Sequence, residues 1–236
     1  ALPKLTTPTY ELEIPSTDAK IKYRPFLVKE EKILMMAMES KKNTDIVQAV
    51  KDIVSECTFN KVDMSDLPMF DVEYIFLQIR SKSVGEVSKL RILCPDDGKT
   101  YADVELDLNE VKVQVGDEHT NKIELSKDMG IIMKYPTIDS FRESGIQDIN
   151  ATNMLDVIGA CIMQIYEEGG KKTYDPKDQT KKELNDFMEQ LTTKQFKDVQ
   201  SFFDTMPKLK HTIKVTNPKT KKENEIILTG LNDFFE

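Results

Sequence analysis

The apolar residues of this chain change their spacing twice, and that double change limits the fold more than any other feature of the sequence. Val72, Ile75, Phe76 and Ile79 recur at i, i+3, i+4 and i+7, which places their side chains on one helix face. From Val87 to Met133 the period falls to two. Leu90, Ile92 and Cys94, then Val104, Leu106 and Leu108, then Val111, Val113 and Val115 alternate with polar neighbours, as strands with one buried face do. From about Thr152 the helical spacing returns in Met154, Leu155, Val157, Ile158, Ala160, Cys161, Ile162 and Ile165. So little polar surface predicts a central helix. The fold expected from this pattern is α+β: a largely helical body with an inserted antiparallel β-subdomain and β-hairpins at both termini.

Local signals set the boundaries. Tyr10, Leu12 and Ile14 alternate with Glu11 and Glu13, and Ile21 and Tyr23 alternate with Lys20 and Lys22. The Pro15–Asp18 turn makes them a hairpin whose acids and bases face across the strands. Residues 1–27 are read as this hairpin and 28–85 as helical, with Leu34, Ala37 and Met38 on the inner side of the first helix and Asn43-Thr44 as an N-cap of the second. Pro68 is placed in a first helical turn. Residues 86–136 form the β-subdomain, turned at Asp96-Asp97-Gly98. Residues 137–206 are read as helical again, with capping boxes at Thr180/Glu183 and Thr192/Gln195. Residues 207–236 give a last hairpin, turned at Asn217–Thr220, and an apolar tail. The two terminal hairpins are expected to pair into one small sheet.

Chain length and charge narrow the functional classes. With 236 residues the chain can bury a sizeable core without covalent staples. A net charge of -8 argues against broad nucleic-acid binding, which rests on neutralising phosphates. No run approaches the roughly 18 apolar residues of a membrane helix, so membrane insertion is not expected. The opening Ala1–Leu5 lacks the charged and apolar regions of a signal peptide, and the odd, scattered Cys57, Cys94 and Cys161 fit a reducing compartment. Cys57 and Cys161 are read as small core residues on helical faces.

Catalytic chemistry is hard to find. His119 and His211 each lack a neighbouring nucleophile in a known arrangement, and no G-x-G-x-x-G loop is present. Asp103, Glu105 and Asp107 share one strand face and are either a hard-cation site or a solvated surface. Cys94-Pro95-Asp96-Asp97-Gly98-Lys99 has the outline of half a zinc knuckle, as does Asn217-Pro218-Lys219-Thr220, but a tetrahedral zinc site needs four Cys or His ligands. The expectation is therefore no enzyme, no catalytic residues, no metal and no cofactor.

Two features point to protein contacts. Lys208, Lys210, Lys214, Lys219, Lys221 and Lys222 gather on the C-terminal hairpin, where bases protect an edge strand, meet an acidic protein partner, or meet nucleic acid. Leu228, Leu231, Phe234 and Phe235 make the terminus apolar. Two adjacent phenylalanines must either pack onto this chain or anchor in another. Leu231, Phe234, Phe235, Lys219, Lys221 and Lys222 are the candidate partner-binding residues.

Several stretches, in order along the chain, resemble one known family. Ile21-Lys22-Tyr23-Arg24-Pro25-Phe26-Leu27-Val28-Lys29-Glu30-Glu31-Lys32 is similar to the opening of baseplate hub proteins of T4-type bacteriophages. Leu67–Leu77, Arg80–Gly85, Met133-Lys134-Tyr135-Pro136 and Leu228–Phe235 fit the same family. The resemblance implies a non-enzymatic hub subunit or hub-assembly factor of a contractile tail. Its implied partners are other baseplate proteins, with self-association open, and its implied places are the virion and the host cytoplasm during assembly. Paired cysteines at the two hairpin turns belong to some relatives; here Cys94 stands alone and 217–220 has none. The alternative from another class is a metal- or nucleic-acid-binding accessory protein.

Overall fold

A computed structural model describes residues 2–143 and 153–234 of the chain. In chain order the elements are β1 (Tyr10–Glu13), β2 (Lys20–Tyr23), α1 (Val28–Ser40), α2 (Asn43–Cys57), α3 (Met69–Val84), β3 (Val87–Leu93), β4 (Tyr101–Asp107) and β5 (Lys112–Gln114). There follow β6 (Lys122–Glu124), β7 (Gly130–Met133), α4 (Ile138–Glu143), α5 (Met154–Ala160), β8 (Ile162–Glu167) and β9 (Lys172–Tyr174). The last are α6 (Lys181–Glu189), α7 (Thr193–Thr205), β10 (Lys208–Thr216) and β11 (Glu223–Thr229). Helices with small antiparallel sheets make this an α+β fold. The chain divides into two compact units, one of residues 1–114 and 208–236, the other of residues 115–207.

In the first unit, β1 and β2 pair with Glu11 opposite Lys22 and Glu13 opposite Lys20. The facing acids and bases read from the sequence are thus in register, and Lys20 Nζ lies 3.7 Å from Glu13 Oε1. The hairpin turn is pinned by the buried Asp71 in the first turn of α3, which accepts from the Ser16 N–H at 3.1 Å and from the Ser16 hydroxyl. Helix α3 buries Phe70, Val72, Ile75, Phe76, Leu77 and Ile79. Leu77 enters a core made with Leu90, Leu106, Leu108, Leu209, Val215 and Leu228, each buried side chain contributing about 1.5–3 kcal/mol.

In the second unit, β6, β7, β8 and β9 form one antiparallel sheet in that order. Ile123, Ile131, Ile158, Ile162, Met188, Val199 and Phe202 fill its core. Gly130 lies opposite Tyr166, and the Tyr166 ring crosses so close that a Cβ at position 130 would overlap it and come within 2.5 Å of the Ile123 carbonyl. Both expected capping boxes are present. Thr180 N–H donates to Glu183 Oε2 at 2.7 Å, and Thr192 N–H to Gln195 Oε1 at 2.8 Å.

Several expectations are corrected. The helix expected through Ile165 stops after Ala160, where the Cys161 N–H donates to the Ile158 carbonyl at 3.0 Å, and residues 162–167 are a strand. Ile162, Ile165 and Tyr166 suit a sheet buried by helices, where helix and strand share the same continuous apolar pattern. The described helix with the most buried residues is α3, in the first unit. The strands of residues 86–136 pair β3 with β4, β5 with β10, β6 with β7, and β7 with β8. The terminal hairpins do not pair, since β1–β2 is a sheet of its own. Met38 is exposed, not inward, because α1 turns Glu30 and Ala37 to the interior. Pro68 is the residue preceding α3 and Lys42 the one preceding α2, neither within the helix. Thr152 lies outside the described residues.

Candidate functional site

Strands β10 and β11 pair from Lys210 opposite Thr229 to Thr216 opposite Glu223, and β5 pairs with the first residues of β10. Alternation sends Leu209, Ile213 and Val215 inward and Lys214 outward. The turn that joins them is organised by Asn217, whose side chain is fully buried. Its Oδ1 accepts from the N–H groups of Lys219 at 2.8 Å and Thr220 at 3.1 Å, a side-chain mimic of a backbone turn. Lys221 adopts a left-handed φ of 62°. Pro218 and this geometry leave Lys219, Lys221 and Lys222 exposed at the tip. None of these three ammonium groups is paired with a carboxylate among the described residues, whereas Lys214 lies 3.5 Å from Glu223.

The turn after β3 is brought against this one. Asp96 accepts from Asn217 Nδ2 at 2.9 Å, Asn224 Nδ2 at 3.0 Å and the Thr220 hydroxyl, and its own N–H donates to Asn224 Oδ1 at 3.2 Å. These hydrogen bonds hold the Asp96 carboxyl below its ordinary range, Asn217 contributing most. Asp97 is likewise held well below the ordinary carboxylate range by the Thr100 hydroxyl and by the N–H groups of Thr100 and Lys99. The two outlines that resembled half knuckles in the sequence therefore meet, and amide, hydroxyl and carboxylate groups join them. Cys94 is buried beside them, and burial together with Asp96 and Asp97 pushes its thiol up. Among the described residues no three His, Cys, Asp or Glu side chains are grouped to hold a metal ion.

The C-terminal tail turns back into the same unit. The Thr229 N–H donates to Asp233 Oδ2 at 2.7 Å, and the Ser88 hydroxyl donates to the Phe234 carbonyl at 2.8 Å. Phe234 is 0% exposed within the core that includes Leu90 and Leu228, and Leu231 packs against that core while partly exposed. A ring with no exposed surface gives a partner nothing to grip, so Phe234 belongs to the intramolecular reading of the tail. Phe235 lies outside the described residues.

The remaining candidates are placed as follows. Asp103 and Glu105 stand opposite Arg91 and Lys89, and Asp107 accepts from the N–H and side chain of Asn109, each at 2.9 Å, so that strand face is a ladder of opposite charges. His211 approaches Glu110 at 3.9 Å. His119 bonds Thr205 and Tyr135. Burial pushes the thiols of Cys57 and Cys161 up to about 12, far from a thiolate nucleophile at neutral pH. Among the surfaces sequence reasoning missed is that of α1, which exposes Val28, Ile33, Met35, Met36 and Met38. Its apolar residues lie on several sides of the helix, so no periodic stripe marked which of them stay uncovered.

No described helix is long and apolar enough to cross a membrane. Comparison with the curated proteins and with the solved structures finds no match to this chain. A family model described as T4 bacteriophage base plate protein matches residues 7–236. That span takes in the second compact unit, all but residues 1–6 of the first, and all five stretches of the resemblance, and the chain belongs to this family of phage tail baseplate proteins.

Proposed function

We propose that this protein is a hub subunit or hub-assembly factor of a contractile tail, acting through contacts with other baseplate proteins and not by catalysis. The family match over residues 7–236 carries the reading. Two surfaces support it. Methionines are deformable and suit contact surfaces, and α1 leaves three of them exposed. The lysine tip at Lys219, Lys221 and Lys222 offers unpaired positive charge to an acidic protein partner. Leu231 and Phe235 join these lysines as proposed contact residues; Phe234 supports them from the core. Self-association is a further contact of the same kind.

Quantitative mass spectrometry of purified tails beside infected-cell lysate tests the reading. Stoichiometric recovery in tails identifies a hub subunit. Recovery in lysate, bound to hub proteins but not in tails, identifies an assembly factor working in the host cytoplasm. Recovery in neither form of complex overturns the proposal.

A further inference from the structure

In the second unit a cleft of about 240 Å³ opens between the sheet and α6. Its walls are Met129, Ile165, Leu184 and Phe187, and its rim carries Glu167, Tyr174, Gln179 and Glu183. Ile165 and Tyr174 face each other across β8 and β9, so the sheet supplies one wall. The Thr180 capping box fixes the first turn of α6, and Asn185 Nδ2 donates to Asp156 Oδ1 at 3.1 Å, tying that helix to α5. The cleft is therefore lined from elements held in place.

Its size and charge define what it can take. Small-molecule sites usually span about 300–1,000 Å³; this cleft is smaller and suits one large apolar side chain. No lysine, arginine or histidine lines it, while two carboxylates do. Among the described residues each carboxylate is bound through one of its two oxygens. Glu167 Oε1 accepts from the Tyr174 hydroxyl at 3.0 Å and meets Lys172 at 3.3 Å, and Glu183 Oε2 accepts from the Thr180 N–H and hydroxyl. An apolar pocket with an acidic rim complements an apolar anchor with a cation beside it.

We infer that this cleft docks a partner protein through a large apolar side chain flanked by lysine or arginine. The inference rests on the reading that the protein works by binding other proteins, and it names the chemistry of one such contact.

The chain contains no tryptophan, so the fluorescence of a tryptophan-bearing peptide reports binding without background. The probe is an acetylated, amidated pentapeptide, Lys-Leu-Trp-Leu-Lys, titrated into the full chain beside its counterpart with glutamate for lysine. The lysine peptide is expected to shift its emission to the blue and to bind about tenfold more tightly than the glutamate peptide at physiological salt. Glu167→Gln is expected to narrow that preference, and Leu184→Lys to abolish binding while the melting temperature reports whether the fold is kept. Glu183→Gln preserves the capping box and gives a second test of the rim if Leu184→Lys does not fold. Equal binding of the two peptides overturns the inference, as does lysine-peptide binding indifferent to both rim variants. Self-association of the chain that Leu184→Lys or Glu167→Gln dissolves, read by sedimentation, also overturns it, since the occupant is then a second copy. Failure of the peptide titration leaves the hub reading standing, and absence from tails leaves the cleft standing.

Discussion

Arg24 grips the Glu30 carboxylate with both terminal nitrogens, Nη2 to Oε1 at 2.9 Å and Nη1 to Oε2 at 3.1 Å. Glu30 is 1% exposed and Arg24 9%, so neither charge can turn to water. Glu30 also accepts from the Leu27 N–H at 2.7 Å, and Arg24 donates to the Pro25 carbonyl at 3.0 Å. The stretch from Ile21 to Lys32 thus carries a buried, two-pronged ion pair that joins β2 to the first turn of α1. Burial alone would raise the Glu30 carboxyl; the Arg24 guanidinium and the Leu27 N–H outweigh it and hold it below the ordinary carboxylate range.

Removing one partner breaks the pair. Arg24→Met leaves the exposed Lys29 ammonium, 3.4 Å away, as the charged partner of the buried Glu30, and is expected to cost about 3–5 kcal/mol, the range for breaking a buried pair. Arg24→Met with Glu30→Leu should cost less than Arg24→Met alone, because no ion remains to be desolvated. Urea unfolding of both variants decides it; a double variant less stable than the single one contradicts the account. The pair also sets an acid limit. A depressed folded pKa contributes stability that is present above the unfolded value of about 4.3 and is lost as pH falls through the folded one. The double variant should lose less stability than the parent below that pH.

Asn217 carries the join between the two turns of the first unit. Its Oδ1 closes its own turn and its Nδ2 reaches Asp96. Asn217→Ala should destabilise by about 1–3 kcal/mol, the usual cost of unsatisfied buried partners. Amide exchange should speed up at Lys219 and Thr220 before other parts of the hairpin. Asn217→Asp keeps the turn acceptor but sets a second carboxylate against Asp96, so its loss should be larger at neutral pH than in acid. Unchanged exchange in Asn217→Ala would mean that Pro218 and Lys221 hold the turn without it.

How legible the sequence was depended on how local each signal is. The helices capped by Thr180 and Thr192 were readable because both partners of each box lie within four residues. The β1–β2 and β10–β11 hairpins were readable from alternation on either side of a turn. The strand at 162–167 was not, since a run buried by helices on its face has no polar alternation to betray it. Nor was the partner of β5, which lies about a hundred residues away on β10. The meeting of Asp96 with Asn217 was visible only as two similar outlines. The acidic cleft was invisible, because its lining comes from β8, β9, α6 and two separate loops, and no spacing rule joins them.

Phe234 separates the two readings of the C-terminal tail. Its ring is enclosed, so Phe234→Ala should cost about 3–5 kcal/mol and lower the melting temperature of the first unit. Phe235→Ala tests the contact reading on its own. If Phe235 is an anchor, that variant keeps its melting temperature and loses co-purification with hub proteins. A Phe234→Ala variant that melts like the parent would show that the tail is not part of the core.

His119 gives the second unit its own dependence on pH. The Thr205 hydroxyl donates to the Ser201 carbonyl at 2.7 Å, so towards His119 its oxygen acts as an acceptor. Nδ1 therefore carries the proton and donates to Thr205 at 2.8 Å, while Nε2 accepts from the Tyr135 hydroxyl at 2.9 Å. The imidazole also stacks on Tyr135 with ring centres 5.8 Å apart and leans on Phe202 at 5.3 Å. This surrounding suits the neutral ring, and burial pushes its pKa below the ordinary value. A second proton on Nε2 would face the hydroxyl that now donates to it. The unfolded chain then binds the proton more readily than the folded one, so stability is full above the unfolded pKa of about 6.5 and falls as pH drops towards the folded value. His119→Gln removes the titration. The stability of the parent, measured by urea unfolding from pH 7.5 to 5, should fall relative to this variant across that window. Parallel curves would show that His119 titrates alike in both states and that its hydrogen bonds do not fix its protonation.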